Sequence, residues 1–138
     1  MPTPPRRFSA RELIVLIADP GSYVSWDAPP AEPDLGETYR GELAAAAEKA
    51  GTDESILTGE AHIDGRRVVL IACEFRFLAG SVGLAAAERF VLAMERATAE
   101  RLPVLASTAS GGTRMQEGTL AFVAMVKIAA AVAAHQSE

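Results

Sequence analysis

Ser107-Thr108-Ala109-Ser110-Gly111-Gly112-Thr113-Arg114-Met115-Gln116-Glu117-Gly118 is the stretch that decides how this 138-residue chain folds. An apolar run, Leu102 to Ala106, leads into it, and a longer one, Thr119 to Ala134, leaves it. The pattern reads as a strand, a small-residue turn and a helix from about Met115 to Ala134, which is an α/β arrangement. Gly111 and Gly112 allow a close backbone approach to a ligand. The first N–H groups of a helix lack intrahelical partners and carry partial positive charge. Such a turn suits an anion, or an oxygen that becomes one during a reaction. It reads equally as a tight connection. The P-loop pattern is absent, and no serine stands between glycines at nucleophile-elbow spacing.

The same unit occurs once before. Arg66 to Phe77 reads as a strand, continuously apolar from Val68 to Cys73 as in a strand covered on both faces. Glu74-Phe75-Arg76-Phe77 alternates, as where one strand face meets solvent, and places Glu74 and Arg76 for a cross-strand ion pair or a cleft edge. The turn Ala79-Gly80-Ser81-Val82-Gly83 follows, then a helix from about Leu84 to Glu100. Two such units in succession put both turns at one edge of a parallel sheet, where α/β folds bind ligands. There two backbone N–H groups can address a single oxygen.

Upstream, Ser55 to Ile63 and the return strand flank Asp64-Gly65, a hairpin turn that accepts positive φ at both positions. A helix over about Glu37 to Lys49 stops at Gly51. Seven of the eight prolines lie at or before Pro33, which marks residues 1–36 as an N-terminal arm and 37–138 as the main body. Within the arm, Ser9-Ala10-Arg11-Glu12 is a capping box opening a short helix that Asp19-Pro20-Gly21 ends. Tyr23, Val24 and Trp26 read as a docking cluster.

Composition narrows the classes. Apolar residues make up 49% and charged residues 22%, so the chain can bury one core. A net charge of -5 gives no general attraction to nucleic acid or an anionic membrane. Cys73 is alone, which excludes an internal disulfide or cysteine zinc cluster and fits a cytoplasmic location. Met1 to Arg7 has no secretory pattern. Thr119 to Ala134, 16 residues with one charge at Lys127, is short of the roughly 20 needed to span a bilayer, so a buried core or interface helix is expected. His62 and His135 read as surface positions.

Ser110-Gly111-Gly112-Thr113-Arg114-Met115-Gln116-Glu117-Gly118 resembles the Ser-Gly-Gly-Ala-Arg-Met-Gln-Glu-Gly signature of biotin-dependent carboxyltransferases, among them the acetyl-CoA carboxylase β subunit and acyl-CoA carboxylase β chains. Phe75 to Gly83 is similar to their Phe-x-Phe-x-Gly-Gly-Ser-Met-Gly loop, and Thr58-Gly59-Glu60 with Asp64-Gly65 to their approach strands. The resemblance covers about Asp53 to His135, and more loosely the arm from Phe8. It implies a ClpP/crotonase-like fold of repeated ββα units, here truncated after the first core units. It implies transfer of a carboxyl group from carboxybiotin, carried by a separate biotin carboxyl carrier protein, to the α carbon of an acyl-CoA. Gly111 and Gly112 match the glycines whose amides hold the enolate oxygen of the CoA thioester. Gly80 or Ser81 matches the second donor. Ala79, Gly83, Ser110, Thr113 and Arg114 are the substrate-binding candidates around them, although Arg114 and Glu117 also read as a structural pair or cap. No side-chain base is required.

Three departures stand out. Ala79 replaces the loop's first glycine, Thr113 replaces alanine with a hydroxyl able to cap a helix, and the zinc ribbon of the bacterial β subunit is absent, so no metal is expected. Family chains also continue beyond Glu138. The remaining CoA pocket and the biotin half-site would come from another domain, an α-type subunit or another copy in a homo- or hetero-oligomer. The expected activity is malonyl-CoA formation for fatty-acid synthesis. The alternatives are a non-catalytic assembly module and a biotin-independent malonate decarboxylase subunit. A crotonase-type hydratase would need a carboxylate acid/base pair that is not evident.

Overall fold

A computed structural model describes residues 8–31 and 35–137. The proline-rich segment before Phe8, part of the loop expected before Gly36 and the last residue lie outside the described residues. The order is α1 (Ala10–Ile17), β1 (Val24–Ser25), α2 (Glu37–Ala50), β2 (Ile56–Ile63), β3 (Arg66–Cys73), α3 (Leu84–Ala99), β4 (Val104–Ser107) and α4 (Gly118–Gln136), with single 3-10 turns at Leu78–Gly80 and Met115–Glu117.

Local chemistry accounts for the ends of these elements. Ser9 Oγ accepts from Glu12 N at 3.1 Å and opens α1. Gly51, at φ 72°, closes α2 in the left-handed conformation. Asp64 and Gly65 both have positive φ, 51° and 76°, as a two-residue hairpin requires. The carboxylate of Asp19 then takes both turn amides, at 3.0 and 2.8 Å, tying the end of α1 to the hairpin.

The sheet order is β1-β2-β3-β4, with β3 and β4 parallel and the other pairings antiparallel. β3 is the spine. Val69 and Ile71 face one core with Ala86, Ala87, Ala93, Met94 and Ala97 of α3 and Ala124 and Ala131 of α4. Val68, Leu70 and Ala72 face a second core with Ala10 and Ile14 of α1. The continuous apolar run of β3 therefore follows from cover on both faces. Burying each such Val, Ile or Leu side chain is worth about 1.5–3 kcal/mol.

The arm joins the sheet itself. Val24 and Ser25 pair with Glu60 and Gly59, Tyr23 Oη donates to Thr58 O at 3.0 Å, and the Arg96 guanidinium lies 4.0 Å over the Trp26 ring. Gly59 permits this: a Cβ there would stand 2.4 Å from Val24 O.

Two expectations are corrected. β3 ends at Cys73, and Glu74–Phe77 is a turn rather than strand. The buried Glu74 carboxylate accepts from Ala10 N and Arg76 N, both at 3.2 Å, so it closes the turn and anchors α1 instead of making a cross-strand pair. α4 is also longer and more exposed than its composition suggests. Only Ala121, Ala124 and Ala131 are buried, while Leu120, Phe122, Val123 and Val126 are exposed. With the preceding turn it forms 22 helical residues, apolar and long enough to cross a bilayer, so length does not exclude a span as expected. Its small-residue side packs on α3, and His135 Nε2 sits 2.8 Å from Leu102 O.

Candidate functional site

The two glycine turns lie side by side at the C-terminal ends of β3 and β4, as their order in the chain implies. Pairing of Ala72 with Ser107 brings the strand ends level. Beyond it the turns are joined directly. Gly111 N donates to Ala79 O at 2.8 Å, Ser110 Oγ to Gly80 O at 2.6 Å, Val82 N to Gly112 O at 2.7 Å and Arg114 N to Val82 O at 2.9 Å. The last two make Val82 and Thr113 a one-residue parallel bridge.

Close approach of the protein itself explains Gly80 and Gly83. A Cβ on Gly80 would stand 2.1 Å from Ala109 O, and one on Gly83 would stand 2.1 Å from Glu117 Oε2. Gly80 admits the neighbouring turn and Gly83 admits a carboxylate. Gly111, Gly112 and Ser110 are exposed, and Gly112 has φ 102° with open space where a Cβ would be.

The expectation of two free amides is not met in this conformation. Gly80 N donates to Phe77 O at 2.8 Å, Ser81 N to Leu78 O at 3.1 Å and Gly111 N to Ala79 O. Tight turns satisfy their own donors. Of the four candidate amides, only Gly112 N donates to a side chain, Ser110 Oγ at 3.0 Å. A hydroxyl on a rotatable bond can be replaced by a ligand oxygen without moving the backbone.

Helix dipoles also act elsewhere than expected. α4 starts at Gly118, beyond both Gly111 and Gly112, and its N-terminus has no side-chain cap, so Thr113 does not cap it. α3 starts immediately after Gly83, but its first amide, Leu84 N, donates to Glu117 Oε1 at 2.8 Å. The anion at that helix end is the protein's own carboxylate.

Arg114 is corrected as a substrate contact: its side chain is 0% exposed. It is the structural member instead. Its guanidinium pairs with both oxygens of Glu54, and Nη1 reaches Glu117 Oε2 at 3.1 Å and Tyr39 Oη at 3.2 Å. Nη2 donates to Ser81 O at 2.8 Å and Nε to Ser81 Oγ at 3.2 Å, so the second turn grips the first. Burial, the largest single effect, pushes the Arg114 pKa down, but the hydrogen bonds and charge attraction of Glu54 and Tyr39 together outweigh it and the pKa rises. Tyr39 Oη donates to Glu117 Oε2; burial, then that bond, holds the phenol proton well above its ordinary range.

Tyr39, Glu54 and Ser55 escape a reading of the sequence because their partners lie some 60 to 78 residues away. The available signal is the polar run Thr52-Asp53-Glu54-Ser55 directly before an apolar strand, three of whose members are buried. Two arginines outside the turns are also committed. Arg89 is buried and donates to Ile56 O, Ala28 O and Asp53, while Arg67 pairs with Glu60 and Glu100. Among the described residues no three His, Cys, Asp or Glu side chains are grouped to hold a metal ion.

Comparison with known proteins agrees with this architecture. The chain is 57% identical over 129 residues to the probable biotin-dependent acyl-coenzyme A carboxylase beta3 subunit of Mycobacterium tuberculosis, covering 94% of this chain and 26% of that protein. It is 42% identical over 137 residues to the acetyl-coenzyme A carboxylase carboxyl transferase subunit beta of Gloeobacter violaceus, covering 96% of this chain and 45% of that protein. The chain thus spans a quarter to less than half of these relatives. The transcarboxylase 12S structure with hydrolysed methylmalonyl-coenzyme A bound superposes with a TM-score of 0.77 at 27% identity, over 89% of this chain and 23% of that one. The Pseudomonas malonate decarboxylase MdcD-MdcE heterodimer shares the fold with a TM-score of 0.70 at 22% identity, over 94% and 48%. The fold is the crotonase-type α/β fold of carboxyltransferases. The carboxyl transferase domain matches residues 4–138, and with two joined glycine turns at the ends of parallel strands the chain belongs to that family of transferases.

Proposed function

We propose that this chain supplies the acyl-CoA half of a carboxyltransferase site in a biotin-dependent acyl-CoA carboxylase. The observation that carries this reading is the exposed Gly112 amide, held only by the Ser110 hydroxyl, beside a turn from the neighbouring parallel unit. A thioester oxygen replacing Ser110 Oγ would meet a donor whose direction the backbone already sets. As the α proton leaves and charge moves onto that oxygen, a pre-aimed amide is worth about 3 kcal/mol of transition-state stabilisation. Release of Gly80 or Ser81 N–H from its turn would supply a second donor. Carboxybiotin, brought by a separate carrier protein, supplies the carboxyl group and a nitrogen that takes the proton. Acetyl-CoA as substrate, malonyl-CoA as product, fatty-acid synthesis as the use, a cytoplasmic location and an oligomer with a second half-site complete the reading. The two carboxylase relatives named above support the carboxyltransferase role and its dependence on biotin.

The test is acetyl-CoA binding by calorimetry, with Gly112→Pro as the variant that removes the N–H and, because proline cannot hold φ 102°, also resets the turn. Saturable binding lost in Gly112→Pro supports the reading; binding that survives in the folded variant overturns it. Malonyl-CoA formation with biotin-dependent partners supplied would extend it to activity. Decarboxylation of a malonyl thioester without biotin would instead select the decarboxylase branch.

The exposed Leu120, Phe122, Val123 and Val126 on α4 favour a second reading, a non-catalytic module that assembles carboxylase subunits. A monodisperse monomer that ignores those subunits would exclude it.

A further inference from the structure

We propose that Tyr39, on α2, is a positioning residue for both glycine turns, acting through the buried Glu54–Arg114–Glu117 cluster. The proposal rests on the reading of those turns as an acyl-CoA site. Tyr39 Oη donates to Glu117 Oε2 and accepts from Arg114 Nη1 at 3.2 Å. The Glu117 carboxylate closes the first turn at its far end, at Leu84 N, while Arg114 holds Ser81 within it by both the carbonyl and the hydroxyl. One hydroxyl therefore touches the two side chains that hold residues 81 and 84.

The donors and acceptors leave no slack in this cluster. Glu54 Oε1 accepts from Ser55 N and Arg114, Glu54 Oε2 from Arg114, Glu117 Oε1 from Leu84 N and Glu117 Oε2 from Tyr39 and Arg114. Two carboxylates face one guanidinium, so neutral donors must hold the excess negative charge. Tyr39 is the one that comes from another element's side chain. Losing it leaves Glu117 more dependent on Arg114, whose remaining bonds set Ser81.

Packing alone does not explain Tyr39. Only Tyr39 and Ala46 of α2 are buried, and a cavity of about 480 Å³ lies between α2 and α3, lined by Leu43, Ala44 and Ala85 together with Glu54, Arg114 and Glu117. Through its hydroxyl, Tyr39 joins this end of α2 to the cluster.

The test compares Tyr39→Phe with the wild-type chain by hydrogen–deuterium exchange, thermal unfolding and acetyl-CoA binding. Losing a hydrogen bond to a charged group is expected to speed exchange in residues 79–84 and 109–117 by about tenfold, with the β2–β3 hairpin unchanged. Acetyl-CoA affinity is expected to fall about tenfold, with the melting midpoint lowered by a few degrees. Leu43→Ala serves as control, because it loosens α2 while removing none of the cluster's hydrogen-bonding groups. Unchanged exchange in Tyr39→Phe, or equal acceleration in Leu43→Ala, overturns the proposal. If the wild-type chain does not bind acetyl-CoA, the functional reading fails, and the exchange comparison still decides the role of Tyr39.

Discussion

Gly80 and Ala109 meet across the two turns so closely that a Cβ at position 80 would stand 2.1 Å from the Ala109 carbonyl oxygen. Gly80 also has φ 68°, in the left-handed region. Gly80→Ala is therefore expected to cost about 3 kcal/mol or more, combining backbone overlap with conformational strain. Gly112→Ala has the strain without the overlap and should cost only about 1 kcal/mol. Denaturant unfolding of the two variants checks the order, and equal losses would remove the close approach as its cause.

Arg114 and Glu54 form a buried pair, 0% and 3% exposed at the side chain. Arg114→Met leaves Glu54 and Glu117 without their cation and should cost about 3–5 kcal/mol. Arg114→Met with Glu54→Gln should recover part of that loss, and a double-mutant cycle measures the recovery. Strict additivity would mean that the pair is not coupled.

Ala79 occupies φ 55°, ψ 29°, a conformation that disfavours a side chain with a Cβ. Ala79→Gly is expected to stabilise the chain by about 0.5–1 kcal/mol, offset in part by greater freedom of the unfolded chain. A lower midpoint in that variant would show that the methyl group contributes packing that outweighs the strain.

The two tyrosines give a pH prediction. Burial, then the nearby Asp27 charge, raises Tyr23 to about 12, and Tyr39 is raised for the reasons given above. A folded pKa above the unfolded value of about 10 contributes stability that is complete below pH 10 and lost as pH rises through the folded value. Phenolate absorbance should be nearly absent at pH 10 in the folded chain and half developed in the denatured chain. Since the chain has only these two tyrosines, one ionising normally would be visible directly.

Much of this was legible in the residues because its causes are local. Ser9 caps α1, Asp64-Gly65 turns the hairpin, Gly51 stops α2, and two successive strand–turn–helix units imply neighbouring turns. The failures have long-range causes. Phe75 and Phe77 alternate with charged residues as in a strand, but Glu74 bonds to Ala10 across the fold and bends the chain. Arg114 beside glycines looks available to a ligand until Glu54, 60 residues away, is seen to enclose it. Glycine marks where a backbone can be approached closely but not by what, and at Gly80 and Gly83 what approaches is the protein.

The cap on α3 constrains the order in which the chain can be completed. Leu84 N is closed by a carboxylate 33 residues further along, in the turn of the following unit. During synthesis α3 emerges with that amide open, and it stays open until residue 117 has been made and carried back. The first unit cannot reach its final state alone, and the second needs Gly83 of the first to seat Glu117. Repeated units of this kind are not independent beads on a string. Here each is finished by its neighbour, so cutting the chain between β4 and α4 should unravel the start of α3 as well.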